Sequence, residues 1–370
     1  MVTNLPPQAE AQYKKVVASK SKEEKLENLK IFLSMIPEHK GTEKLRAQVK
    51  RQISRLQEEI LVEKKRRSSR QVVFDKGDNT VLTTILARDK GLLYDFLSHI
   101  RLFGEQSILD SLNELKPLST SFEDIAVSFM PIPMSLIENR RYSLIQTILF
   151  KSDLILVLLG KADPYGEYRL AREVLSRFGI YLASKNSTAS FKSLKAGGIT
   201  VVNKSRFLRE EEIRRFLAEQ GFESGIVNLS EYASLYTLES SIRGLQRRNF
   251  LLIVEDDLDE EKLALELKVP VENVIKTTVF LQGDFLTKVF EASGVMRIYL
   301  KPPSAAAPSE KPILVDRDIT VGELASKIHK GLSESLKYAR LWRGGFKSTL
   351  LRVSSSFKLL DKDVVELRTK

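Results

Sequence analysis

Between residues 71 and 276 the chain repeats one pattern: a short apolar or β-branched run, then a stretch with helical spacing. The runs are QVVF (71–74), IAVSF (125–129), DLILVLL (153–159), GITVV (198–202), NFLLIV (249–254) and ENVI (272–275). Segments such as YRLAREVLSRF (168–178) and REEEIRRFLAEQ (209–220) lie between them. Several runs are continuously apolar, so they are expected to be buried on both faces. Strands of that kind alternating with helices predict a mainly parallel sheet flanked by helices, an α/β fold.

The chain has 370 residues, enough for two or three domains. It has no cysteine, which excludes disulfides, thiol catalysis and thiolate metal sites and suits a cytoplasmic protein. His39, His99 and His329 stand far apart and show no ligand spacing. No run of about 18 uncharged apolar residues predicts a membrane span, and the first residues lack the apolar core of a signal peptide.

The net charge of +11 is unevenly placed. Residues 1–70 hold 17 Lys and Arg against 9 Asp and Glu, and residues 295–370 hold 15 against 8. The centre, 71–294, holds 27 against 31, so two basic arms enclose a slightly acidic middle. Such arms suit a polyphosphate partner, RNA or the ribosome, although lysine-rich surfaces also serve solubility. No DNA partner is expected.

In the first arm Leu26, Leu29, Phe32, Leu33 and Ile36 recur at helical spacing, and Pro37 ends the run. Leu45, Val49, Ile53, Leu56 and Ile60 form a second stripe after Thr42, a candidate cap. The two predict a helical hairpin over 1–70, which could also dock a protein partner. The run KKRRSSR (64–70) reads either as a solvated helix end or as a nucleic-acid contact. The last arm, 295–370, shows a strand VMRIYLKPP, a loop rich in Pro, Ala and Ser, a helix capped by Thr320 and a final strand KDVVELR. That order suits a β-grasp module.

These residues resemble a known family. The stretch Pro37, His39, Lys40, Gly41, Thr42, Glu43, Lys44 and Leu45 is similar to the DRG branch of the Obg-related GTPases. The last arm resembles a TGS domain through Arg297, Tyr299 and Lys301, then Ile328-His329-Lys330, Lys337-Tyr338-Ala339-Arg340, Trp342, Arg352-Val353 and Asp363-Val364-Val365-Glu366. KAGGI (195–199) resembles part of the family's insertion. The resemblance implies a P-loop-GTPase-like domain over 71–294, with an insertion around 166–248, and a TGS domain over 295–370. It implies a factor linked to translation and associated with the ribosome or RNA.

It also implies a nucleotide site, and there the residues depart from it. A phosphate loop, G-x-x-x-x-G-K-[ST], wraps phosphates with backbone N–H groups and supplies a lysine and a Mg²⁺-binding hydroxyl. With Thr83 and Thr84 set on the closing Ser-Thr at a helix start, Thr83, Thr84 and the loop residue Asn79 remain as remnants. Lys76 and Val81 then replace the glycines, and Leu82 replaces the lysine. The DxPG motif becomes Phe129 to Ile132, keeping only Pro131. After NFLLIV, Glu255 and Asp256 replace the Asn-Lys of NKxD, and Lys276-Thr277-Thr278 replaces the last base-contacting motif. Asn203-Lys204 mimics NKxD but has Arg206 in place of its Asp. The cluster EDDLDEE (255–261) reads as the first turn of a helix, with an oxygen-ligated cation as the alternative.

The expectation is therefore a GTPase-fold protein that needs no cofactor and performs no hydrolysis. GTP with Mg²⁺ on Thr83 is the alternative. RNA contact is expected at Lys44, Arg46, Lys50, Arg51, Lys64, Lys65, Arg66 and Arg67, and at Lys337, Arg340, Arg343 and Lys347. Trp342 is expected in the core, with base stacking as the alternative.

Overall fold

The computed structural model describes residues 22–37, 76–136, 142–278, 284–346 and 349–369, with residues 8, 9, 12, 15, 16, 19, 42, 45–47, 49–53 and 56. The chain forms two units, Met1–Val73 and Phe74–Lys370.

In the first unit, helix α1 (Lys22–Met35) ends two residues before Pro37. Leu29, Phe32 and Ile36 are buried with Val49 and Ile53, so both apolar stripes contribute to one small core. Arg46 Nη1 donates to the carbonyls of Leu33, at 3.3 Å, and Ile36, at 2.6 Å. Those carbonyls lie past the last turn that α1 can satisfy internally. Arg46 therefore holds the end of a helix through Nη1, with its side chain half-buried.

The second unit begins with strand β1 (Thr80–Ala87), followed by α2 (Lys90–His99), α3 (Glu105–Glu114), β2 (Leu118–Phe122) and β3 (Ile125–Pro133). After α4 (Tyr142–Lys151), β4 (Leu154–Leu159), α5 (Pro164–Arg177) and β5 (Ile180–Leu182) comes an insertion. It contains β6 (Ala189–Ser193), β7 (Ile199–Asn203), α6 (Glu210–Glu219), β8 (Gly225–Leu229) and α7 (Leu235–Ile242). The main domain resumes with β9 (Gln246–Val254), α8 (Glu260–Leu267), β10 (Val274–Lys276) and α9 (Phe285–Ser293).

The sheet order is β2-β3-β1-β4-β9-β10, with β5 beside the start of β9. All pairings are parallel except β2 with β3. Successive residues of β1 and β4 enter opposite cores. Leu82, Leu86, Ile155 and Val157 pack with α4, α5 and α8, whereas Val81, Ile85, Leu154 and Leu156 pack with α2, α3 and α9. This explains the unbroken apolar runs. GITVV, expected among these strands, instead forms β7 in a separate sheet ordered β6-β8-β7. Its outer residues are exposed, including Val202. The expected strand at 71–74 lies outside the described residues.

The chain passes from α9 into the last domain through Gly294 (φ +73°), where an added Cβ would lie 2.5 Å from Asn249 Nδ2. Strands β11 (Val295–Leu300), β12 (Ile313–Asp316), β13 (Leu336–Trp342), β14 (Leu350–Val353) and β15 (Asp363–Thr369) form a five-stranded sheet. Its order is β12-β11-β15-β13-β14. Helices α10 (Val321–Ile328) and α11 (Lys330–Ser335) precede β13. Thr320 caps α10 in a reciprocal box with Glu323, as its position predicts. Val321 and Leu324 of α10 cover one face, over Ile298, Ala339, Leu341 and Val365.

Candidate functional site

In open parallel sheets ligands bind at the carboxyl ends of the strands. Thr83 and Thr84 are not there. Both are buried in the middle of β1, so the expected helix start is strand. Thr84 Oγ1 lies 2.6 Å from Ser152 Oγ, whose hydroxyl also donates to the Ile148 carbonyl. Thr83 Oγ1 has no hydrogen-bond partner. Asn79 precedes β1, roughly 26 Å of strand from its carboxyl end. Its carbonyl accepts the N–H of Ala126. Lys76 pairs with Asp153, whose Oδ2 also accepts the Leu82 N–H at 2.8 Å. These residues bind the entry of β1 to β4.

A buried hydroxyl without a partner forfeits a hydrogen bond it would make in water. Thr83→Val, which keeps the shape, is expected to raise stability by about 1 kcal/mol in urea unfolding. A loss of stability would mean that the hydroxyl has a partner.

The carboxyl end of β1 leads into α2 through two residues, Arg88 and Asp89. Asp89 Oδ1 accepts the Leu92 N–H at 3.0 Å and caps the helix. This bond, with Arg88 alongside, holds its carboxyl below the usual range. The position where a helix N-terminus could receive a phosphate thus holds a fixed negative charge. Nearby, Glu167 of α5 is buried, accepts the Gly160 N–H at 2.6 Å and pairs with Arg88. Arg88 therefore faces two carboxylates.

Phe129 and Ile132 lie inside β3, whose pairing with β1 continues to Pro133 opposite Ala87. The expected switch turn is therefore misplaced. The chain leaves the strand at Met134, Ser135 and Leu136, which include neither a carboxylate nor a glycine.

A cavity of about 450 Å³ lies at the ends of β4 and β9 beside α2. Phe96, Leu158 and Ile253 line it together with Asp95, Asp256 and Asp257. Asp256 Oδ1 accepts from Thr278 N at 2.9 Å and Thr278 Oγ1 at 2.7 Å, tying together the segments that follow β9 and β10. Asp257 pairs with Lys161, which lowers its carboxyl pKa. Asp259 caps α8 through the N–H groups of Glu261 and Lys262, so the last part of the acidic cluster serves that helix. Asn203 serves a turn in the insertion, donating to the Leu208 carbonyl and accepting from Ser205 N. Among the described residues these strand ends present carboxylates, and Gly160 and Lys161, which follow β4, are engaged by Glu167 and Asp257. These residues do not match the cradle of a triphosphate with Mg²⁺.

The expected basic contacts divide. Lys44, Lys64, Lys65, Arg66, Arg67 and Lys347 lie outside the described residues. Lys50, Arg51 and Lys337 are exposed. Arg343 makes a two-pronged pair with Asp363, through Nε at 3.0 Å and Nη2 at 2.9 Å, which raises its pKa. It is committed to the fold. Arg340 reaches Glu366 at 3.3 Å while remaining partly exposed. Trp342 lies outside the core cluster, half-buried against Phe346.

The architecture is an α/β domain with a mainly parallel sheet, interrupted by an insertion and followed by a five-stranded domain. Residues 296–369 match the TGS domain family. The chain is similar to developmentally-regulated GTP-binding protein 1 of Xenopus laevis, 26% identical over 59% of this chain and 61% of that protein. It is similar to the developmentally-regulated GTP-binding protein 2 homolog of Dictyostelium discoideum, 24% identical over 94% of this chain and 99% of that protein. It covers 53% of an uncharacterized GTP-binding protein of Methanocaldococcus jannaschii, at 25% identity. It thus spans 53% to 61% of the length of the Methanocaldococcus and Xenopus relatives. Among solved structures, the Schizosaccharomyces pombe YchF GTPase matches with a TM-score of 0.37 and 8% identity, over 80% of this chain and 99% of that one. Among the described residues, no helix is long and apolar enough to cross a membrane.

Proposed function

We propose that this chain uses a DRG-type fold for binding, neither holding GTP tightly nor hydrolysing it, as a cytoplasmic ribosome- or RNA-associated factor linked to translation. The observation that carries the first half is the two-residue turn between β1 and α2, closed by the Asp89 carboxylate. A phosphate loop needs several backbone N–H groups converging on one anion. Here a side chain of the same charge takes the helix N-terminus, and Glu167 adds a second negative charge nearby. A phosphate would meet these carboxylates in place of converging N–H donors. The reading as an RNA- or ribosome-associated factor rests on the basic arms and on the TGS domain.

Sedimentation with ribosomes in a salt series tests both halves. Co-sedimentation is expected without nucleotide, unchanged by GTP with Mg²⁺ and steeply weakened by salt. Labelled GTP alone is expected to show no saturable binding at micromolar concentration. Micromolar GTP affinity lost on removing Mg²⁺ would overturn the first half. Absence of the protein from the ribosome pellet at low salt would overturn the second.

A further inference from the structure

The last sheet has α10 on one face only. Alternation places Tyr338, Arg340 and Trp342 of β13 on the other face, since Ala339 and Leu341 enter the core. The pairing Arg340↔Arg352 and Trp342↔Leu350 adds Arg352 and Leu350 of β14. The pairing Tyr338↔Arg368 and Arg340↔Glu366 adds Arg368 and Glu366 of β15. Lys301, just past β11, joins them by pairing with Glu366.

This face is costly for folding alone. Arg340 and Arg352 stand directly opposite one another, and like charges so placed repel. Glu366 is the one carboxylate that β13, β14 and β15 place there, against the cations Lys301, Arg340, Arg352 and Arg368. Two aromatic rings are interleaved with the charges. The Arg352 guanidinium lies 4.0 Å from the Tyr338 ring centre, and Lys301 Nζ lies 5.9 Å from that of Trp342. Leu350 beside Trp342 is 47% exposed. Tyr338 and Trp342 are four residues apart on one strand, roughly 13 Å.

We propose that this face is a stacking platform for single-stranded RNA. Bases lie on Tyr338 and Trp342, and phosphates lie against Arg340, Arg352 and Arg368. The proposal rests on the RNA-associated reading above and narrows it to one surface and one form of RNA. Flat rings between cations suit unpaired bases joined by phosphates. Double-stranded RNA is gripped by its backbone and 2′-hydroxyls and leaves aromatic faces unused.

Trp342 is the chain's sole tryptophan, so its fluorescence reports on the platform directly. Full-length protein is titrated with unlabelled 12-nucleotide oligouridylate and oligoadenylate, an RNA duplex of equal length and an acidic peptide. Single strands are expected to quench the emission saturably. In parallel, anisotropy of labelled strands reads affinity in variants whose thermal melting matches the parent. Trp342→Leu and Tyr338→Leu are each expected to weaken single-strand binding about tenfold without changing its salt dependence. Arg352→Gln is expected to reduce the salt slope by about 0.7. Binding of single strands with unquenched tryptophan and no effect of either leucine variant would remove the platform while leaving RNA association intact. Equal or tighter binding of the duplex or the acidic peptide would overturn the choice of partner. No binding to any RNA would overturn both the platform and the reading beneath it.

Discussion

Arg297→Met is expected to lower the unfolding free energy of the second unit by about 2–3 kcal/mol. Arg297 lies on β11, and its side chain is 6% exposed. Its guanidinium meets Asp361 through Nε at 3.2 Å and Nη2 at 2.6 Å, and Asp124 through Nη1 at 3.3 Å. Glu123 is a further partner, and the ring of Phe290 lies 4.7 Å away. Burial opposes the charge, but the hydrogen bonds that Arg297 donates to Asp361 and Glu123 outweigh it and raise the pKa. Glu123 and Asp124 form the turn between β2 and β3, so one side chain joins the main domain to the TGS domain. Methionine fills the volume but takes the guanidinium from Asp361 and Asp124 and leaves Glu123 with Lys362 alone. These carboxylates are partly exposed and can regain water, which places the cost below that of a sealed pair. Lys362→Met removes an exposed partner of Glu123 and is expected to change stability by less than about 0.5 kcal/mol. Urea unfolding followed by circular dichroism measures both. An Arg297→Met variant within 0.5 kcal/mol of the parent would show that the junction does not depend on this cluster.

The sheet was legible because runs such as 154–159 and 250–254 are apolar at every position, as strands covered on both faces require. The end of the first strand was not. Thr83-Thr84 invites alignment with the closing Ser-Thr of a phosphate loop, yet Thr80 to Ile85 is largely β-branched and apolar, a composition that favours strand. The better signal lay just beyond: Asp89 before Leu92, Leu93, Phe96 and Leu97 is a cap followed by a helical stripe. Reading that cap first shortens the loop to two residues and moves the site from Asn79 to Arg88. The cations were less legible still. Arg46 and Arg343 look like their neighbours in sequence, and only tertiary structure reveals their partners, the Leu33 and Ile36 carbonyls and Asp363. Asp363 and Glu366, both buried, carried no sequence signal of burial; alternation along β15 placed one at its start and the other on the outer face.

Glu366 should make the TGS domain acid-sensitive in a way one substitution removes. Its side chain is 1% exposed, accepts from Lys301 and Arg368 at 2.6 Å, and is also reached by Arg340. Burial would raise its pKa, but the hydrogen bonds from Lys301 and Arg368 prevail and lower it. A carboxyl lowered in the folded state binds fewer protons than in the unfolded chain, so stability rises with pH between the two values. Its contribution is complete above the unfolded pKa of about 4.3 and disappears as pH falls through the folded one. Glu366→Gln leaves the buried Lys301 ammonium without its counter-charge and is expected to cost about 2–3 kcal/mol at pH 7. As the pH falls below about 4.3, the parent loses its advantage and the two proteins converge. Tryptophan emission from Trp342, on the neighbouring strand, follows unfolding of this domain in urea at each pH. A difference that stays constant from pH 7 to pH 3 would mean that Glu366 acts through packing rather than charge. Convergence would show that the cations of the outer face are held in place by the carboxylate beneath them, so acid should loosen the domain and its outer face together.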